Sequence, residues 1–278
     1  MLMTIIEKAI DKLEKQRAGQ VIPDTTDSQE IAASSEKLPL QVDMFAILER
    51  QGFDLSMLEQ KQIKEEFRHI KRPLLRNAAG LGADVVENGN VIMVASTRSG
   101  EGKTFTTTNL AFSIAMEKNK TVLLIDADVE KSALSSVFGI KGERGLVEYL
   151  RGETDDLSDV IFNTSLSNFK IIPAGRSDGY STELFSSENM LGLMREISQR
   201  YDDRIVILDL PPLLATSEAV VLASMAGQIV MVVEAGSQQG DVIEAVGMFA
   251  PSQIVGLVLN KSSIESRSYY YGGSVAEA

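Results

Sequence analysis

Six runs of apolar residues punctuate the chain: VIMVAS (91–96), VLLIDA (122–127), FKIIPA (169–174), RIVILDL (204–210), QIVMVVEA (228–235) and IVGLVLN (254–260). They are continuous rather than alternating, the pattern of strands covered on both faces. Helical stretches lie between most of them, so the economical architecture is an α/β fold, a doubly wound and mostly parallel sheet with helices on both faces. In such sheets ligands sit at the carboxyl ends of the strands, which makes the residues closing each run the ones to inspect.

Those residues form a consistent set. VIMVA is followed by STRSGEGKT, which nearly matches the phosphate loop G-x-x-x-x-G-K-[ST] but carries Thr97 where the first glycine stands. Gly100 and Gly102 let backbone N–H groups turn onto phosphate oxygens, Lys103 can bridge the β and γ phosphates, and Thr104 is placed to ligate Mg²⁺. The next helix starts here, so its N-terminal dipole also faces the anion. The candidate nucleotide-binding set is Ser99, Gly100, Glu101, Gly102, Lys103, Thr104 and Phe105, with Asn260 closing the last run. Burying a triphosphate with its metal also calls for acidic residues, and Asp126, Asp128 and Asp209 end strands that would flank the loop. Each aspartate taken alone has a structural reading as a helix cap or turn residue, Asp128 most readily.

The balance of the chain narrows its partners. A formal charge of −12 over 278 residues argues against nucleic-acid binding, which needs a basic surface to release counterions. The absence of cysteine excludes disulfides and thiolate metal sites and suits a cytoplasmic protein. No apolar run approaches the ~20 residues that cross a bilayer. The organisation expected is a short amphipathic helix and linker over residues 1–41, a nucleotide-binding domain over 42–260 and a flexible tail over 261–278. The N-terminal helix has two readings, a frayed extension or a docking helix for a partner protein or a membrane surface, of which the charge-balanced face favours a partner.

The order S-T-R-S-G-E-G-K-T, then L-L-I-D-A-D, then I-V-I-L-D-L-P-P, resembles the P-loop NTPase class of deviant Walker ATPases, which includes chromosome-partitioning and division-site proteins. NLA after GEGKT, together with LDLPPLLATSEAVVLA and GLVLNK, is most similar to the cytoplasmic bacterial tyrosine kinases of exopolysaccharide export, and among them to the exosortase-associated tyrosine autokinases. The resemblance implies ATP and Mg²⁺ as cofactors and catalytic roles for Lys103, Asp126, Asp128 and Asp209. It implies a metal held directly by Thr104, with Asp128 and Asp209 acting through water, and Asp126 close enough to the γ phosphate to take the tyrosyl proton. The implied partners are further copies of the chain in a ring-like homo-oligomer, a membrane polysaccharide co-polymerase as activator, which would recruit the protein to the inner membrane face, and a tyrosine phosphatase.

Two stretches bear on kinase against plain ATPase. Tyr269, Tyr270 and Tyr271 are half of the six tyrosines and sit in a Ser- and Gly-rich tail. They read either as a surface aromatic patch or, as in the resembling kinases, as phosphoacceptors. The nine residues from Asn260 to Tyr269 span at most ~30 Å, so a neighbouring subunit's site is as reachable as their own. In EEFRHIKRPLL, Glu65, Arg68 and Lys71 share one side of a helix expected to end before Pro73. They read as a solvated face or, by resemblance, as the family's E-x-x-R-x-x-R ring interface with Lys71 in place of the last Arg. Three departures stand out: Ser99 where the family commonly has Pro, VEKS after the Asp-x-Asp pair, and Arg98 where division-site ATPases keep a signature lysine. Arg98 could act across an interface or contact its own loop. The alternative function is a nucleotide-switched ATPase of the partitioning type.

Overall fold

The computed structural model describes residues 41–42, 61–82, 86–177, 181–199 and 203–262. The expected N-terminal helix and the tyrosine cluster lie outside them. Eight described strands form one sheet: β1 (Gln41–Val42), β2 (Val91–Ser96), β3 (Thr121–Asp126), β4 (Phe162–Thr164), β5 (Phe169–Ile172), β6 (Arg204–Asp209), β7 (Gln228–Glu234) and β8 (Ile254–Asn260). Their order is β1-β4-β5-β3-β6-β2-β7-β8, parallel except where β4 meets β5. All six apolar runs therefore became strands, with two short ones added.

The eight described helices are α1 (Lys61–Ala78), α2 (Lys103–Ala115), α3 (Ala133–Val137), α4 (Leu146–Leu150), α5 (Ser181–Phe185), α6 (Glu188–Gln199), α7 (Ser217–Ala223) and α8 (Gln239–Val246). Side chains alternate across each strand, so Val91, Met93 and Ala95 of β2 face a core shared with Met190, Leu193 and Leu222, while Ile92 and Val94 face one shared with Phe67, Leu110 and Ile114. Two covered faces explain why the strand runs are continuous. β8 is the exception: it is an edge strand, and Leu257 and Leu259 are 61% and 60% exposed. Its apolar run looks like the others although one side lacks a covering element among the described residues.

Helix α1 corrects one expectation, because it runs through Pro73 and continues to Ala78. The proline removes one i→i−4 bond, normally costing ~3 kcal/mol, but Pro73 and His69 both face solvent, where water can serve the freed carbonyl. What holds the helix beyond Pro73 is tertiary. Leu74 is buried against the α2 side of the sheet, and the buried Gln228 amide donates to the Leu74 carbonyl at 3.0 Å while accepting from Asn77 at 2.8 Å.

Candidate active site

The segment from Ser96 to Lys103 leaves β2 and enters α2. Gly100 and Gly102 have φ of +91° and +95°, the left-handed region that glycine occupies without strain. Thr97, at the first-glycine position, keeps a negative φ, so a side chain there is tolerated. Its buried hydroxyl donates to the Glu101 carboxylate, which also accepts from the Arg98 N–H at 2.9 Å and the Ser237 hydroxyl at 3.1 Å. The Glu101 side chain therefore laces the underside of the loop, leaving its backbone to face a phosphate. Asn260, at the end of β8, donates to the Glu101 carbonyl at 2.9 Å.

A Cβ on Gly102 would stand 2.0 Å from the Asn260 amide nitrogen, whereas one on Gly100 would meet open space. Gly100→Ala is expected to cost only the left-handed strain of ~1–2 kcal/mol. Gly102→Ala is expected to cost more and to displace Asn260. Urea unfolding of both variants checks this, and equal losses would sink it.

Helix α2 carries three consecutive threonines, poor helix formers, which are held by back-bonding: the Thr106, Thr107 and Thr108 hydroxyls reach the carbonyls of Gly102, Lys103 and Thr104 at 3.0, 3.0 and 2.8 Å. Thr104 also donates to Asp209 Oδ2 at 2.8 Å, and the Thr107 hydroxyl lies 2.8 Å from Asp209 Oδ1. Phe105 packs its ring toward Phe67 of α1, with centroids 6.4 Å apart. Its side chain thus joins the two helices.

Strand order brings the carboxylates together. β6 lies between β3 and β2, and the register sets Asp126 directly beside Asp209. Lys103 Nζ stands 2.9 Å from Asp209 Oδ1 and 3.8 Å from Asp128 Oδ2, at 7% exposure, yet it makes no well-directed hydrogen bond. Asp126 Oδ2 accepts from the Ser135 N–H and hydroxyl, both at 2.7 Å, and Oδ1 accepts from the Asp128 N–H at 3.2 Å. Burial, and secondarily the Asp209 charge, nonetheless push the Asp126 carboxyl up to about 7 against those bonds. Burial likewise raises the Asp128 carboxyl, opposed chiefly by Lys103.

The departures also find places. Arg98 Nε donates to Asp241 of α8 at 2.7 Å, which holds that carboxyl below its usual range, so in this chain the arginine pairs within its own subunit. Exposed Glu130 accepts from the Ser177 hydroxyl at 3.2 Å. Glu65 and Arg68 pair with each other at the surface. Lys71 does not share their exposure: it is buried, its ammonium 2.7 Å from both the Ser113 carbonyl near the end of α2 and the Glu117 carboxylate. Thr107, Ser135, Ser237 and Lys131, whose ammonium donates to the Ser99 hydroxyl, escaped the sequence reading. The i+3 spacing of Thr107 from Thr104 was the one signal available.

A family model described as an AAA domain matches residues 89–249, more than half of the chain. Over 220 residues the chain is 31% identical to the tyrosine-protein kinase CpsD of Streptococcus agalactiae, covering 78% of this chain and 91% of that relative. The chain belongs to the bacterial tyrosine-protein kinase family. The solved kinase domain of the Escherichia coli tyrosine kinase ETK is 31% identical, with a TM-score of 0.56 over 66% of this kinase and 72% of that chain. The chimerical protein CapA2B2 shares the fold, with a TM-score of 0.64 at 22% identity over 80% of this kinase and 93% of that chain.

Proposed function

We propose that the kinase transfers the terminal phosphoryl group of Mg-ATP to tyrosines of its own C-terminal cluster, Tyr269, Tyr270 and Tyr271, in trans between subunits, as part of exopolysaccharide synthesis and export. The observation that carries the reading is the buried Lys103 ammonium, aimed between Asp209 and Asp128 without a well-directed hydrogen bond. A buried donor in that state calls for a partner, and a phosphate oxygen in the adjoining glycine loop fits it. The donor set agrees: hydroxyl and carboxylate oxygens are ligands for Mg²⁺ rather than for softer metals.

Mg-ATP supplies the electrophilic γ-phosphorus and the ADP leaving group. Lys103 and the loop amides bind the phosphates and stabilise charge on their oxygens. Thr104 would hold the metal directly, with Asp209 and Asp128 acting through water. Asp126, with its carboxyl near 7, accepts the tyrosyl proton as the phenol oxygen bonds to phosphorus, a proton that tyrosine holds up to a pH of about 10 when unperturbed. Asn260, fixed on the loop, is available to the nucleoside. Ring assembly rests on the exposed Glu65 and Arg68, since Lys71 is committed to α2. A membrane co-polymerase as activator, a tyrosine phosphatase as antagonist and the exosortase-associated subgroup follow from the resemblance. No described helix is long and apolar enough to cross a membrane.

The test uses the full chain with Mg-ATP. Replacing all three tyrosines with Phe is expected to abolish phosphotyrosine, and mixing that variant with Lys103→Met, each silent alone, is expected to restore it on the Lys103→Met chain. Phosphotyrosine persisting in the triple variant would overturn the acceptor assignment, and a silent mixture would overturn transfer in trans.

A further inference from the structure

We propose that Lys131 is a second cation of the phosphate site, held over the loop by Ser99 so that it recognises the terminal phosphate of a nucleoside triphosphate. The inference rests on the nucleotide reading of the site and adds a residue that selects between triphosphate and diphosphate.

Lys131 sits three residues beyond Asp128 on the segment leaving the carboxyl end of β3. Its backbone is fixed on both sides: its N–H donates to Asp128 Oδ1 at 3.3 Å, and its carbonyl accepts from Lys141 Nζ at 3.0 Å. The chain then turns sharply, because Ser132 has a φ of +48° while its N–H donates to the Asp128 carbonyl at 2.7 Å. From this base the Lys131 side chain crosses to the P-loop and donates to the hydroxyl of Ser99, the residue before Gly100. The loop and the acidic segment are thus bridged at their exposed rim.

The two lysines differ in a way that assigns them different work. Lys103 is buried and in ion-pair range of two carboxylates, whereas Lys131 is exposed, hydrogen-bonds through its side chain to a neutral hydroxyl and acts on the Asp128 carboxylate only through its charge. A cation held by a hydroxyl gives up little when it turns to an anion, since the charge-assisted bond it gains is about twice as strong as the neutral one it leaves. Location decides which phosphate it meets. Asn260 approaches the loop from β8, on one side of β2, while Lys131 approaches from β3, on the side of Asp126, Asp128 and Asp209. The metal and the terminal phosphate belong on that acidic side. Glu130, the neighbouring charge that would oppose the cation, accepts instead from Ser177.

The test measures equilibrium binding of Mg-ADP and of a non-hydrolysable β,γ-imido ATP analogue to the full chain and to Lys131→Gln, Lys131→Arg, Ser99→Ala and Lys103→Met. Lys131→Gln is expected to weaken the triphosphate about tenfold, the effect of losing one charge-assisted bond, while changing ADP affinity less than about twofold. Lys131→Arg is expected to recover most of the difference, and Ser99→Ala to lose about two- to threefold, because the ammonium is then no longer pre-positioned. Equal weakening of both nucleotides, or no change in either, would overturn the proposal. The nucleotide reading fails separately, and takes this inference with it, if the wild-type chain binds neither nucleotide or if Lys103→Met binds both as tightly as wild type.

Discussion

Lys103→Met lowers phosphotyrosine formation by an expected 10²–10³-fold, the usual consequence of losing one preorganised donor aimed at developing charge. Methionine matches the stem in length but cannot donate, so the effect comes from the missing ammonium rather than from a hole. Lys103→Arg is not expected to rescue, because the side chain is buried between Asp209 and Asp128 and a planar guanidinium does not reproduce the point charge of an ammonium there. Stability should fall as well. Asp209 is wholly buried and would keep the Thr104 hydroxyl while losing its cation, and breaking such a pair from one side costs about 3–5 kcal/mol. Single-turnover phosphorylation and urea unfolding read the two effects. Turnover within tenfold of wild type would remove Lys103 from the centre of the chemistry.

The second large effect is expected at Asp126, and it is a slope rather than a level. With a folded-state carboxyl near 7 against an ordinary value of about 3.9, the native chain binds a proton that the unfolded chain has released throughout that window. Stability from this group is therefore lost as pH rises from about 4 to about 7 and is level above that. Asp126→Asn removes the titration, so its stability minus that of wild type should climb by roughly 3–4 kcal/mol across the window and then flatten. The offset of that curve will also contain the cost of facing an amide N–H toward a donor, since Ser135 donates to one Asp126 oxygen and the Asp128 N–H to the other, so its shape is the informative readout. Urea denaturation at several pH values measures it, and a difference constant with pH would sink the assignment. The same substitution removes the proposed proton acceptor, so phosphotyrosine formation should fall with it.

Much of this site was legible because strand ends are legible. Continuous apolar runs located the six principal strands, and the ligand-binding tendency of carboxyl ends then picked out the loop, Asp126, Asp128, Asp209 and Asn260 without any knowledge of strand order. Strand order itself was not legible. That Asp126 stands beside Asp209 follows from β6 inserting between β3 and β2, a long-range pairing that local periodicity does not encode. Pro73 misled for a similar reason: the local rule ends a helix there, and a glutamine 154 residues away holds the last turns. The E-x-x-R-x-x-K spacing correctly set three charged residues along one helix, but one of the three faces α2, and the spacing carries no information about which neighbour claims it. Ser99 read only as a departure from a pattern and Lys131 did not stand out at all, and their meeting needed three dimensions.

The lacing beneath the P-loop bears on how the protein can respond to its nucleotide. Glu101 joins Thr97, the Arg98 backbone and Ser237 before any ligand arrives, while Asn260 pins the loop from β8. The conformational entropy of the loop is thereby surrendered at folding, and little is left to lose on binding. A loop so preorganised is a poor candidate for the moving part of a switch. Control over this kinase should then fall on whether an acceptor tyrosine is delivered to a site that is already set, which makes the supply of substrate the regulated event.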